Sequence, residues 1–311
     1  MHVLIKKLTR HLVMALTFFL PADRRVALER WLRGREEYRK LQLSDCVVVS
    51  FGKSGRTWLR VMMSGYFQAK HGLSKRSLIG FDNLNKKHAD IPRVFFTHDN
   101  YLRDYTKNHD NKSDFYGKKV VLMVRDPRDT AVSQYFQWQH RMRPGKKSLN
   151  KYPEHGADIT VYDFVQGKDA GLPKVIGFMN GWADEMTNLK DVLVVRYEDL
   201  RTDPGAWLGA IITFLGGEPS ARDVASAVEF ASIDNMRKME QERVFWLSGS
   251  RMVPGDKSNP DSYKVRRAKV GGYRDYFTDA QVAELDAVVA GQLSPVFGYG
   301  KPASEDGASA A

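Results

Sequence analysis

Cysteine is almost absent from this chain, because Cys46 is the only one among 311 residues. A single thiol cannot form an intramolecular disulfide, and it cannot supply the clustered thiolates of a structural zinc site. Long hydrophobic runs are also missing, since the apolar stretch 12–20 is far shorter than the ~20 residues that span a bilayer. These absences indicate a globular protein of a reducing compartment, and we expect a cytoplasmic location.

A further absence concerns nucleotide binding. The stretch VVVSFGKSGRTWLRVM (47–62) predicts a buried strand, a short turn and a helix, an arrangement whose helix N-terminus can bind an anion. A P-loop for nucleoside triphosphates requires glycine five positions before its Gly-Lys pair, and Val47 stands at that position. The turn therefore suits one terminal phosphate group better than ATP or GTP with magnesium.

Charge is plentiful and mostly positive. The 48 Lys and Arg residues against 37 Asp and Glu give a net charge of +11, which favours phosphates, sulfates, nucleic acid or an acidic membrane as partners. Nothing in the sequence resembles a helix-turn-helix, an RNA-binding aromatic sheet or a zinc finger, so we do not expect nucleic acid to be a partner.

The N-terminal segment 1–40 is basic and interspersed with apolar residues. This pattern predicts an amphipathic helical segment that either lies on an anionic membrane surface, on the inner face of a membrane, or packs on the protein's own core. The start also resembles a signal peptide, although no convincing cleavage site follows it. The tail 301–311 has low complexity and is expected to be disordered.

Apolar runs separated by helix-length segments define the expected fold. They predict one α/β domain over residues 41–300, with a central parallel sheet flanked by helices and a P-loop-like nucleotide-binding core. Ligands of such sheets bind beyond the carboxyl ends of the strands, where this sequence places polar residues. The predicted strands are CVVVSF (46–51), RVFFTH (93–98), KVVLMV (119–124) and DVLVVRY (191–197).

Four segments, in order, resemble the sulfotransferases that use 3′-phosphoadenosine-5′-phosphosulfate (PAPS). GKSGRTW (52–58) resembles their 5′-phosphosulfate loop and RDPRDTAVS (125–133) their 3′-phosphate motif, while RYEDL (196–200) and VRRAKVGGYRDYFT (265–278) resemble two further segments. The matches span roughly residues 46 to 280. The resemblance implies PAPS as co-substrate, bound without a metal.

The resemblance also implies roles for individual residues in donor binding. The lysine, the amides of the first loop and an adenine-stacking tryptophan would hold the 5′ half of the donor. An arginine, a serine and a flexible basic lid at 251–274 would hold the 3′-phosphate, and a tyrosine would contact the adenine edge. The expected donor-binding residues are Lys53, Ser54, Gly55, Arg56, Thr57, Trp58, Arg125, Ser133, Tyr197, Arg266, Arg267 and Gly271.

The expected reaction is an in-line displacement at sulfur. Negative charge grows on the 5′-phosphate of the leaving group, adenosine 3′,5′-bisphosphate (PAP), and Lys53 is the cation expected to stabilise it. His98 ends the second predicted strand as the Thr-His pair of the family does, and it is the expected base; Asp99 is the alternative.

This sequence departs from the family pattern at several positions. Phe96 replaces a lysine that touches the sulfuryl group, Arg56 replaces the usual threonine, and Ala268 replaces a common glycine of the lid. Ile233 aligns with an aromatic residue. These departures bear on rate and donor fit more than on the class of reaction.

The acceptor is the least defined part of the prediction. The segment 137–164, with its Gly, Pro and Lys content, predicts a mobile loop that lines the acceptor pocket. We expect a hydroxyl or amine on a lipid, glycan or small metabolite. A P-loop-type kinase and a non-catalytic module that binds anions or membranes stay open as alternatives.

Overall fold

The computed structural model describes residues 10–245 and 252–300 of the chain. The predicted tail 301–311 and the first nine residues of the basic N-terminal segment lie outside the described residues.

A four-stranded parallel sheet forms the centre of the molecule, in the order β2-β1-β3-β4. Every residue of β1 is buried, because helices cover both faces of the sheet and each face needs apolar side chains. This architecture confirms the predicted α/β fold. The strands are β1 (Cys46–Ser50), β2 (Val94–Thr97), β3 (Lys119–Val124) and β4 (Asp191–Arg196).

Two apolar clusters fill the spaces between the sheet and its helices. Val48 of β1 points into one cluster, with residues of α2 and α9, whereas Val47 and Val49 point into the other, with residues of α7 and α12. The helices are α1 (Ala22–Leu43), α2 (Arg56–His71), α3 (Leu102–Thr106), α4 (Pro127–His140), α5 (Pro144–Leu149), α6 (Val161–Gln166), α7 (Leu172–Ala183), α8 (Tyr197–Thr202), α9 (Pro204–Phe214), α10 (Ala221–Phe230), α11 (Ile233–Gln241) and α12 (Asp279–Gln292).

Local signals in the sequence account for several helix ends. The Asp126 side chain accepts a hydrogen bond from the Arg128 amide at the start of α4, with Pro127 in the first position. The Asp203 side chain caps α9 in the same way, with Pro204 in the first position, and Gly216 and Gly217 follow shortly after the last residue of that helix.

The N-terminal region is both packed and exposed. Helix α1 continues past residue 40, and the Arg30 guanidinium donates to the Asn100 and Leu149 carbonyls at 2.8 Å each, so α1 is anchored on the domain. Residues 10–16 are helical, and Leu12 and Leu16 are 60% and 64% exposed. Within the described residues, no helix combines the length and apolar character needed to cross a membrane.

The prediction of a loop over residues 137–164 is wrong in part. The segment contains the end of α4, the whole of α5 and the start of α6. Trp138 is completely buried, and its indole N–H donates to the Pro153 carbonyl at 2.9 Å. Packing of this aromatic anchor gives the segment more regular structure than its Gly, Pro and Lys content indicated.

Candidate functional site

A cavity of about 1400 Å³ opens at the carboxyl ends of the strands. Small-molecule pockets usually measure about 300–1,000 Å³, so this cavity has room for two molecules. Ser54 and Gly271, both expected in the site, do not line it. The expected residues that do line it are Lys53, Gly55, Arg56, Thr57, Trp58, His98, Arg125, Ser133, Tyr197, Arg266 and Arg267.

The turn after β1 has an unusual backbone. Lys53 and Gly55 have φ angles of 74° and 91°, in the left-handed region. A Cβ atom at Gly55 would lie 2.6 Å from the Tyr197 ring and 2.7 Å from the Met123 methyl group, so only glycine fits. Helical hydrogen bonding begins at the Trp58 and Leu59 amides, which leaves the preceding first-turn amides for an anion.

Lys53 is held in a strongly cationic environment. Burial and, after it, the charges of Arg141, Arg125 and Arg266 lower the pKa of its ammonium group to about 7. Such a group is easily protonated again when a dianion enters, because the anion compensates the neighbouring cations.

Arg125 connects the first turn with α4. Its Nη1 donates to the Lys53 carbonyl at 3.4 Å, its Nη2 donates to Asp129 Oδ2 at 3.1 Å, and the guanidinium lies 4.6 Å from the centre of the Tyr197 ring. The two predicted phosphate sites therefore border one cavity and adjoin each other.

The basic segment expected to form a lid is described from residue 252 onward and is tied to α4. Asp129 accepts hydrogen bonds from the Gly271 and Tyr273 amides, each at 2.9 Å. Gly271 thus anchors the segment, with a φ of 69°, while its amide is engaged by a carboxylate. The Arg266 guanidinium stacks 3.8 Å from the centre of the Phe136 ring and faces the cavity.

Trp58 lies in the cavity wall with a fixed orientation. Its indole N–H donates to the Ala231 carbonyl at 2.9 Å, and its ring meets Tyr197 edge to face with centroids 5.9 Å apart. The Arg201 guanidinium lies 5.6 Å from the centre of the Trp58 ring, and both residues line the cavity.

His98 is held as a neutral base. Arg56 Nη2 donates to His98 Nε2 at 2.5 Å, and since a guanidinium only donates, Nε2 must be the acceptor. Nδ1 then carries the proton and donates to the Ser50 carbonyl at 2.8 Å. Burial and, after it, the Arg56 charge hold the pKa of His98 well below its usual value.

Asp99, the alternative base, is directed elsewhere. Its carboxylate pairs with Lys112 at 2.6 Å, and the residue does not line the cavity. The geometry therefore favours His98 over Asp99.

Sequence reasoning missed Arg141 at the end of α4. Its Nη1 lies 2.9 Å from the fully buried Glu240 carboxylate, and its Nη2 donates to the Val253 carbonyl at 3.0 Å. These contacts place a cation beside Lys53. No motif marks Arg141, because its partners come from α11 and the lid. The described residues contain no cluster of acidic, histidine or cysteine side chains suited to a metal ion.

Comparison with known protein families finds one match over most of the chain. The family described as "Sulfotransferase domain" matches residues 43–296.

Individual proteins of known name are similar over similar lengths. Cytosolic sulfotransferase 3 of Arabidopsis thaliana is 24% identical, over 82% of this chain and 78% of that protein. Sulfotransferase 2A1 of Homo sapiens is 27% identical, over 78% and 81% respectively.

Solved structures share the fold. Mouse sulfotransferase SULT7A1, complexed with PAP, superposes with a TM-score of 0.54 at 20% identity, over 83% of this chain and 89% of that chain. A retinol dehydratase in complex with retinol and PAP superposes with a TM-score of 0.56 at 16% identity, over 80% and 81%.

Proposed function

This chain belongs to the sulfotransferase domain family, and from that premise we propose that it transfers a sulfuryl group from PAPS to an acceptor hydroxyl or amine. The observation that carries the proposal is the meeting of Lys53, Arg125 and His98 at one cavity. These residues supply a cation for the leaving group, a cation for the second phosphate and a base.

Donor binding is assigned to the turn after β1 and to the start of α4. The first-turn amides of α2 and the Lys53 ammonium would hold the 5′-phosphosulfate, since oriented amides and a cation together bind anions without a metal. Arg125 offers a fork of donors to the 3′-phosphate, and Ser133 lies on the same cavity wall. Both solved structures of similar fold are complexes with PAP, which agrees with this assignment.

Acid–base chemistry is assigned to His98. The acceptor hydroxyl would lose its proton to Nε2 as its oxygen attacks sulfur, while the S–O bond to the 5′-phosphate breaks and Lys53 stabilises the developing charge. Nε2 accepts from Arg56 in this structure, so Arg56 must move before the acceptor can use that lone pair. An incoming sulfuryl group offers Arg56 an anionic partner for that movement.

The acceptor is inferred to be a small molecule or a lipid. The cavity exceeds what one nucleotide requires, and Trp58, Phe96 and Tyr101 contribute aromatic surface to it. Retinol is a ligand of one solved structure of similar fold, the retinol dehydratase.

A location in the cytoplasm, with reversible attachment to a membrane surface, fits the exposed N-terminal helix. Leu12, Leu16 and Phe19 lie at helical spacing and are 60–71% exposed, with Arg24 and Arg25 following them. An apolar face beside basic residues is the pattern of an interfacial helix.

Substitution of the base tests the proposed function. His98→Ala is expected to lower the rate of sulfuryl transfer from labelled PAPS to acceptors in a cell extract by about 10²–10⁴-fold. PAP binding, measured by thermal shift in EDTA, should persist, because His98 is not assigned to the donor. Full activity in this variant would disprove the role of His98.

The same measurement separates the alternatives. A P-loop-type kinase would need magnesium and would be protected by ATP, whereas a non-catalytic anion-binding module would bind PAP without turnover in the unsubstituted protein.

A further inference from the structure

A cluster of connected polar side chains lies at the end of the cavity where α3, α5 and α7 meet. Lys146 Nζ donates to the Tyr101 hydroxyl at 3.1 Å, which donates to Asn150 Oδ1 at 2.9 Å. Lys174 Nζ donates to the Asn150 main-chain carbonyl at 3.1 Å. These residues, Lys146, Tyr101, Asn150 and Lys174, all line the cavity and are called the Tyr101 cluster.

The two lysines of the Tyr101 cluster contact neutral acceptors. Lys146 donates to a phenol, and Lys174 donates to the carbonyls of Asn150 and Asp169, the latter at 2.6 Å. Among residues 10–245 and 252–300, neither lysine forms an ion pair with a carboxylate. Burial lowers the pKa of each ammonium to about 8, although the Asp169 charge opposes this shift at Lys174 and the Glu29 charge opposes it at Lys146.

Two of the carboxylates at this end are paired with arginines, whereas Asp169, which also lines the cavity, has no ion pair among residues 10–245 and 252–300. Asp104 lies 2.9 Å from Arg30, and Glu29 lies 2.5 Å from Arg33. Both guanidinium groups lie over the Tyr101 ring, at 5.3 and 5.6 Å from its centre, and add positive charge beside Lys146. Glu37 also lines the cavity, but burial and then the Asp99 charge raise its pKa to about 7, so it compensates these cations weakly.

We propose that the Tyr101 cluster binds an anionic group of the acceptor, a carboxylate, phosphate or sulfate. The acceptor would then be a hydroxyl compound that already carries a negative charge. This inference rests on the proposed function, because it assigns the Tyr101 cluster to the acceptor that His98 deprotonates. Two half-buried ammonium groups without counter-ions are costly alone, and an anionic ligand removes that cost.

Lysines can instead serve a structural role, and the chain offers a contrast. Lys147 is buried against the Trp138 ring at 4.5 Å and does not line the cavity, so its apolar stem accounts for its position. Lys174 Nζ also lies 4.5 Å from the centre of the Tyr152 ring, so the ring contact is shared. Lys146 and Lys174 differ from Lys147 because they line the cavity and donate to Tyr101 and Asn150 there.

The anion could belong to a free metabolite or to a lipid headgroup. Arg10 and His11 line the same cavity from the N-terminal helix, whose Leu12 and Leu16 are exposed. A headgroup entering from a membrane surface would therefore meet the Arg10 guanidinium first. The shared chemistry is a hydroxyl group and an anion in one molecule, and the experiment below separates the two sources.

The test compares a matched pair of probes on the protein saturated with PAP, so that the donor phosphate sites are filled. Binding of 4-hydroxyphenyl phosphate and of neutral hydroquinone is measured by titration calorimetry. We expect at least about tenfold tighter binding of the phosphate, because hydrogen bonds to charged groups are the stronger ones.

Lys146→Gln and Lys174→Gln should each weaken phosphate binding by about tenfold and leave hydroquinone and PAP unchanged, since glutamine can still donate to the same neutral acceptors. Lys190→Gln is the matched control, because Lys190 is exposed and lies outside the cavity.

Equal affinity of the two probes for the unsubstituted protein would overturn the proposal, and so would loss of phosphate binding in the Lys190 variant alone. The proposed function fails separately if PAP does not bind. A phosphate preference that disappears in both cluster variants would then still identify the anion site.

Co-sedimentation with phosphatidylglycerol and phosphatidylcholine vesicles decides whether the anion belongs to a lipid headgroup or to a free metabolite. A preference for the anionic vesicles that depends on Lys146 indicates a lipid headgroup, and its absence beside tight binding of the soluble probe indicates a metabolite.

Discussion

Lys53 combines a left-handed backbone with a buried ammonium group. Non-glycine residues rarely adopt a φ near 74°, and such conformations persist where the surrounding structure enforces them. Here burial, together with the charges of Arg141, Arg125 and Arg266, keeps the pKa of the ammonium at about 7. The residue is therefore adapted to an anionic partner.

Donor binding should depend on pH through Lys53. The free group is half deprotonated near pH 7, and a bound dianion raises its pKa, so binding takes up a proton above that pH. We expect the Kd of PAP to rise with pH above 7, by at most about tenfold per unit. Calorimetry in buffers of different ionisation enthalpy measures the proton uptake.

Lys53→Arg supplies the control, because a guanidinium stays protonated throughout this range. The Kd of that variant should change little between pH 7 and pH 9. A steep pH dependence in the arginine variant would assign the proton to another group.

Arg56 and His98 show how one replacement changes a site. Where the family usually has threonine, the longer arginine reaches the base and occupies its Nε2 lone pair. The positive charge also disfavours protonation of the imidazole, so the histidine remains neutral at physiological pH. In the proposed reaction, Arg56 thus keeps the imidazole unprotonated and must move before each turnover.

At the scale of elements, the lid is attached through α4. Asp129 lies in the first turn of α4 and holds two lid amides together with Arg125. Because Arg125 also contacts the Lys53 carbonyl, the strand ends and the lid share one hydrogen-bonded network. Donor binding at either phosphate site should thus order the other.

Ala268 introduces backbone strain into the lid. Its φ of 54° is in the left-handed region, where the family commonly has glycine. Ala268→Gly should stabilise the protein by about 0.5–1 kcal/mol, because the steric cost of Cβ in this conformation exceeds the extra entropy of glycine in the unfolded chain. The change is read as a rise in the midpoint of chemical denaturation.

The matched control is Ala287→Gly, the same chemical change at an exposed position inside α12. It should destabilise the protein by about 1 kcal/mol, because glycine is a poor helix former. Shifts of the same sign in both variants would contradict the strain at Ala268.

At the scale of the whole molecule, the cavity and the N-terminal helix form one arrangement. The helix contributes Arg10 and His11 to the cavity and exposes Leu12 and Leu16 to solvent, and Phe19 is exposed in the turn that follows. Packing of α1 on the domain agrees with one of the two predictions for segment 1–40, and membrane attachment stays a prediction for the preceding helix.

Vesicle flotation tests the membrane part. A triple variant with Leu12→Ser, Leu16→Ser and Phe19→Ser should no longer float with anionic vesicles. Each lost apolar side chain removes about 1.5–3 kcal/mol of the free energy gained by burying it in the membrane interface. Leu43→Ser is the control, since Leu43 is exposed at the end of α1. Unchanged flotation of the triple variant would contradict membrane attachment through the N-terminal helix.

Much of the fold was predictable because buried parallel strands need continuous apolar runs. Each of the four predicted strands agrees with the structure to within one residue at either end. The family was predictable too, and is confirmed, since its segments are short and contiguous. Ten of the twelve expected donor-binding residues line one cavity together with His98. This shared position follows from strand order, because β1 lies between β2 and β3.

Contacts between distant segments were beyond sequence reasoning. The Arg56–His98 hydrogen bond joins residues 42 positions apart, and the Lys146–Tyr101 bond joins residues 45 positions apart. Local patterns report which residues are helical, extended or buried, and they carry no record of which side chains meet. Which side chains meet depends on the order of the strands and on the packing of helices across them. The sequence alone therefore determined the motifs, whereas the tertiary structure determined the neutral state of His98 and the cationic end of the cavity.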